Sequence, residues 1–174
     1  WLVFVIFTFL TTPCYYVEVK KEVKCIDTVT KIDTFENWNI NSKPQSEWTD
    51  VDWLAKMMMS EVYDSLEIEA IYLVGITAKN HSIMDKTTIT KAILRPGSFS
   101  GVNLPSYIWW RAEPTEMHKR LALQIIKEDV PKDLKKLFAF CNLKLLSPQT
   151  KSWFLSFKIY KNIKDVTFFV NEKV

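Results

Sequence analysis

"DWLAKMMMSEVYDSLEIEAIYLVGITAKN", residues 52–80, is the stretch whose reading decides the fold. Its first half sets Trp53, Leu54, Met57, Met58 and Val62 at one-and-four spacing, the apolar stripe of an amphipathic helix. Thr49 followed by Asp52 gives that helix a capping box, and Asp50 also favours a helix start. The second half, IEAIYLVGITA at 68–78, is apolar nearly all round, which predicts a buried central helix. Glu61 lies beside the first stripe, four residues after Met57. A carboxylate in that place is either a solvated boundary charge or an acid held against a dry wall, and the pattern admits both.

Outward from this pair, TITKAIL (88–94) predicts a short amphipathic helix stopped at Arg95-Pro96-Gly97. PGSFSGVNLPSYIWW (96–110) reads as a loop that carries two of the three glycines and four aromatics. TEMHKRLALQIIK (115–127) predicts another amphipathic helix with Met117, Leu121 and Ile125 on one stripe. The tail segments KLFAFCN, SWFLSFKIY and VTFFV are dense in Phe and β-branched residues and read as strands. Helices first and short strands later predict an α+β class, mainly helical with a small C-terminal β element.

The domain itself is expected over 48–174. Residues 14–47 form an expected extended arm, with the period-two pattern YYVEVKKEVKCIDTVTKI and then a linker, NWNINSKPQSE, at 37–47. Residues 1–13 open with WLVFVIFTFL, too short to span a bilayer but matching the apolar region of a signal peptide. A buried strand is the competing reading. Export is the expectation, to the cell envelope, the periplasm or the medium.

Composition excludes several classes. A chain of 174 residues can bury a core without a metal or disulfide framework. Three glycines argue against a Gly-rich phosphate loop. Cys14, Cys25 and Cys141 form no CxxC pair, and with two histidines in the chain a zinc site is not expected. Cys14 and Cys25 can close a loop in an oxidising compartment, or all three thiols can be reduced. A net charge of +3, with lysines scattered among acids, shows no basic stripe for nucleic acid. No cofactor is called for.

Four segments in order carry a family resemblance. Residues 52–80, quoted above, resemble the opening of SleB-like cell-wall hydrolases, the spore-cortex-lytic and phage-lysin type. There a Trp-Leu-Ala start leads to an Ala-Glu-Ala-x-Gly-Glu motif, a buried helix and an Asn-Arg pair. AILRPGSFSGV (92–102) resembles the family's Val-Ile-x-x-Pro-x-x-Phe-Ser segment. FAFCNLKLLSPQTKSWF (138–154) resembles its Phe-x-Asn-Pro stretch and following Trp, and DVTFFV (165–170) its Gly-Asn-His-x-Phe. The departures are Asp64-Ser65 in place of Gly-Glu, Asn80-His81 or Lys79-Asn80 in place of Asn-Arg, and Thr167 in place of the terminal His.

The resemblance implies a lysozyme-like α+β domain that cleaves the glycan strand of peptidoglycan in the manner of a lytic transglycosylase. Most glycosidases use two carboxylates. A lytic transglycosylase works with one, because the muramic C6 hydroxyl attacks from within the same sugar and gains a high effective molarity. Glu61 is the implied general acid and base, a role that requires surroundings which favour its protonated form. Tyr63, Asn80, Phe99, Ser100, Trp109 and Asn142 are the candidate substrate-binding residues, with Trp110 and Thr167 behind them. Each has a plainer alternative: Phe99 and Ser100 as a packed turn, the tryptophans as core, Asn80 as a helix cap. Glu67 is a candidate for the missing second carboxylate, with a solvated face as its alternative. The partner implied is peptidoglycan, with residues 1–47 available for a membrane, virion or envelope assembly. The competing function is a catalytically inactive wall-binding or structural module of such an assembly.

Overall fold

The structure, a computed structural model, describes residues 39–62, 67–100 and 113–172. Five helices and three strands lie within them: α1 (Asp50–Val62), α2 (Ile68–Met84), α3 (Ile89–Leu94), α4 (Glu116–Lys127), β1 (Leu137–Cys141), α5 (Pro148–Leu155), β2 (Lys158–Ile163) and β3 (Val166–Val170). The class is α+β, mostly helical, with one small antiparallel sheet. Residues 1–38, Tyr63, Asp64, Ser65, Trp109 and Trp110 lie outside the described residues, and so do the expectations that fall on them, including the leader, the arm up to residue 38, Cys14 and Cys25.

The start of α1 is set by local chemistry. The Thr49 amide and hydroxyl both donate to Asp52 Oδ2, at 2.9 and 2.7 Å, while the Asp52 amide donates back to Thr49 Oγ1 at 3.3 Å. This is a capping box with Asp in the acidic position. The residues flanking the box, Trp48 and Trp53, meet edge-on with ring centroids 4.8 Å apart, the hydrophobic staple that fixes the entry angle. Asp50 works further afield, accepting from the Thr90 amide at 3.0 Å and from the Thr90 hydroxyl, so the first turns of α1 and α3 are tied together.

Burial of α1 exceeds one stripe. Every residue from Asp52 to Ser60 is buried, because α2, α3 and α4 all pack on it. Lys56 is among these residues and is fully buried; its ammonium donates to Asn41 Oδ1 at 2.8 Å. Burial lowers its pKa, and the charge of Glu113 offsets part of that. Glu113 also accepts from the amides of Ile40 and Asn41, at 2.7 and 3.0 Å. Residues 39–47, expected as linker, therefore belong to the same compact unit as the helices, with Ile40 completely buried. Their Asn, Ser and Pro residues build two short 3-10 turns, Ile40–Ser42 and Gln45–Glu47.

Helix α2 runs on past the apolar stretch to Met84, since its polar end finds carbonyl partners on neighbouring elements. Lys79 Nζ donates to the carbonyls of Ile125 and Glu128 at the end of α4. Gly75 lets α2 approach both neighbours: a Cβ there would stand 2.5 Å from Ile125 Cδ1 and 2.6 Å from the Met58 sulfur.

The sheet has the order β1-β3-β2, with both pairings antiparallel. Central strand β3 is covered on both faces, so its successive residues Phe168 and Phe169 are both fully buried. Phe168 joins the main core, whereas Phe169 meets Phe154 of α5 at 5.2 Å. Ion pairs from Lys161 to Glu69 (2.6 Å) and from Lys164 to Glu67 (3.7 Å) link the β2 hairpin to the start of α2.

A second segment departs from expectation. SWFLSFKIY divides, its first four residues ending α5 and its last three lying in β2. Ser147 caps α5 through its hydroxyl, which accepts from the Thr150 amide at 3.3 Å, and Pro148 takes the first helical position. That punctuation outweighs the β propensity of the aromatics that follow.

Candidate functional site

A groove of about 590 Å³ opens between the helical part and the sheet. Glu61 at the end of α1, Thr77 and His81 of α2, the 95–100 loop, β1, and Leu146 with α5 line it. Its volume lies inside the span of roughly 300–1,000 Å³ common for ligand sites.

The loop is shaped by a turn. Ser98 donates its amide to the Arg95 carbonyl at 3.1 Å, with Pro96 next and Gly97 at φ +77°. Proline followed by a positive-φ glycine is the pattern of a type II turn, in which glycine occupies the left-handed position without strain. Arg95 secures the loop from outside, donating from Nε to Ser98 Oγ (2.8 Å) and from Nη1 to Asp85 Oδ2 (2.5 Å). The turn delivers Phe99 inward, where it is 2 % exposed, and Ser100 to the rim. The Ser100 hydroxyl donates to Glu61, 3.2 Å from Oε2 and 3.5 Å from Oε1. The loop thus brings together three of the residues singled out from sequence: Glu61, Phe99 and Ser100.

The other candidates are placed differently. Asn80 is buried, and its amide nitrogen donates to the carbonyls of Leu134 and Leu137, both at 2.7 Å. It stands behind the groove and holds the entry to β1. Asn142, one residue past β1, accepts the Lys144 amide at 3.0 Å and shapes a turn. Thr167 is buried in β3, opposite Cys141 and Asn162. Glu67 stands at the start of α2 beside Lys164, away from the groove lining. Tyr63 and Trp109 lie outside the described residues.

Groove residues that sequence reasoning passed over include His81, Cys141 and Trp153. The Phe138 carbonyl lies 2.6 Å from His81 Nε2, which fixes that nitrogen as the donor and leaves Nδ1 to face Arg95 Nη2 at 3.4 Å. Burial lowers the His81 pKa; the Phe138 hydrogen bond opposes this, the Arg95 charge adds to it, and the Asp85 charge opposes it. His81 is therefore a neutral spacer with both nitrogens engaged. The Cys141 thiol is pushed up to about 11 by burial, which makes it a poor nucleophile at neutral pH. Aromatic rings make the floor: Phe99 lies 5.8 Å from the His81 ring and 6.1 Å from Phe140.

Two carboxylates line the groove, Glu61, which accepts from the Ser100 hydroxyl, and Asp85, which pairs with Arg95. Such an arrangement sets a carboxylate beside an apolar, aromatic lining. Among the described residues no three His, Cys, Asp or Glu side chains gather as a metal site, and no helix is long and apolar enough to cross a membrane. Comparisons of the chain with protein-family models, with curated proteins and with solved structures find no match.

Proposed function

We propose that this domain cleaves the glycan strand of peptidoglycan at the bond between muramic acid and N-acetylglucosamine, as a lysozyme-like lytic transglycosylase with Glu61 as its acid and base. The observation that carries the reading is the Glu61 carboxylate in a groove, with the Ser100 hydroxyl on it and aromatic rings beneath. The SleB-like pattern of the sequence leads to the same residue. Glu61 gives its proton to the leaving glycosidic oxygen as the anomeric carbon takes on positive charge. The resulting carboxylate then withdraws the proton of the C6 hydroxyl, whose oxygen closes the 1,6-anhydro ring. Ser100 orients the carboxylate between these steps. The half-buried ring of Phe140, backed by the buried Phe99, offers an apolar face suited to the C–H surfaces of pyranoses. The reading requires the domain to meet the wall, in the cell envelope or on a virion.

Digestion of purified peptidoglycan by the wild type and by Glu61→Gln, with products read by mass spectrometry, tests this. The expected outcome is anhydromuropeptides from the wild type and none from a folded Glu61→Gln. Reducing ends would keep Glu61 and replace the internal attack by water. Equal inertness of both proteins, with wall binding intact, would instead establish a binding or structural module.

A further inference from the structure

We propose that Trp153 forms a second sugar subsite in the groove, so that the site takes a strand of several sugars, with the indole as stacking platform for one remote from the bond that breaks. This inference rests on the glycan-cleaving reading and adds an extended subsite to it. Trp153 is carried by α5, a helix without a single buried residue. The side chain nevertheless lines the same groove as Glu61, and it is 54 % exposed.

Its position is fixed despite that exposure. The indole meets Phe154 and Phe157 edge-on, both with centroids 4.9 Å away, at interplanar angles of 79° and 75°. Phe157 in turn packs on Phe138 at 4.6 Å, and Phe154 on Phe169 at 5.2 Å, which ties the platform to β1 and β3. The indole is thus a half-exposed apolar surface held in place on the lining of the groove that also holds Glu61. Glu61 and Ser100 come from the end of α1 and the 95–100 loop, Trp153 and Leu146 from the segment after β1. Carboxylate and indole therefore come from separate elements and line the same groove of about 590 Å³, which has room for more than one ring. A pyranose presents axial C–H bonds on one face, and an indole is the largest flat surface a protein can set against them.

The test uses the whole chain carrying Glu61→Gln, so that strands stay uncut. The probes are amidase-released peptidoglycan glycan strands of two, four and six sugars. Affinity is measured by calorimetry, and the indole N–H signal of Trp153, assigned by its loss in Trp153→Phe, is followed by NMR. The expected result is a shift of that signal with the four- and six-sugar strands. Adding Trp153→Leu should weaken binding of those strands by roughly two- to tenfold, the scale of one aromatic face contact, with little change for the two-sugar strand. Strand binding with an unmoved Trp153 signal, and with Trp153→Leu binding as well as its parent, overturns the subsite and leaves the cleavage reading standing. Absence of binding of any strand by the folded protein overturns both.

Discussion

Replacing Asn80 by alanine separates a structural asparagine from a substrate-binding one. The side chain donates two hydrogen bonds of 2.7 Å, to the Leu134 and Leu137 carbonyls, at a site only 3 % exposed. Alanine leaves both buried acceptors without that donor. Each such loss costs about 1–3 kcal/mol, and carbonyls with two lone pairs tolerate it better than amides do. Alanine recovers about 0.5 kcal/mol through its higher helix propensity. The net expectation is a destabilisation of about 2–3 kcal/mol, or a fall in Tm of roughly 10 °C for a domain of this size. Urea unfolding followed by far-UV circular dichroism measures it, with the cleavage assay run well below the new midpoint. Activity per folded molecule should stay within about threefold of wild type, because Asn80 acts on the fold. An unchanged midpoint together with a large rise in KM would refute this account and return Asn80 to the substrate.

Gly75→Ala should destabilise by about 1 kcal/mol, since the overpacking against Met58 and Ile125 outweighs the gain in helix propensity; thermal melts measure it. Ser100→Ala should leave Tm unchanged and lower kcat about tenfold, through loss of the hydroxyl that holds the Glu61 carboxylate; steady-state digestion kinetics show it. Burial pushes the His118 pKa down to about 4, so the unfolded chain, near 6.5, takes up the proton first as pH falls. Its stabilisation is thus complete above about pH 6.5 and is lost as pH drops towards 4. Between pH 7 and 4.5 the wild type should lose roughly 2 kcal/mol more than His118→Leu, read from paired urea titrations.

Much of the helical framework was legible because its determinants are local. Thr49 and Asp52 lie three residues apart, and the box they form needs no other part of the chain. Pro96 and Gly97 announced the turn that carries Phe99 and Ser100 to Glu61. What escaped depends on partners distant in sequence. The Asn, Ser and Pro residues of 37–47 read as linker because Glu113, which fastens Ile40 and Asn41, stands more than 70 residues away. Asn80 read as a ligand for substrate because its true partners are backbone carbonyls, which no residue type reveals. Trp153 went unweighed within a segment read as strand, although Ser147-Pro148 gave the signal for a helix.

The join between α2 and β1 bears on divergence. Asn80 and His81 reach the carbonyls of Leu134, Leu137 and Phe138, atoms that every residue type possesses. The hydrogen bonds across this join therefore end on main-chain acceptors and do not depend on the lining side chains of β1, while Leu134 and Leu137 are held separately by their burial in the core. Descendants of this chain can exchange the lining of β1 one residue at a time, altering what the groove prefers while these hydrogen bonds stay in place. Mutational drift at Asn80 itself has no such freedom, because one amide nitrogen spans two strand-entry carbonyls there.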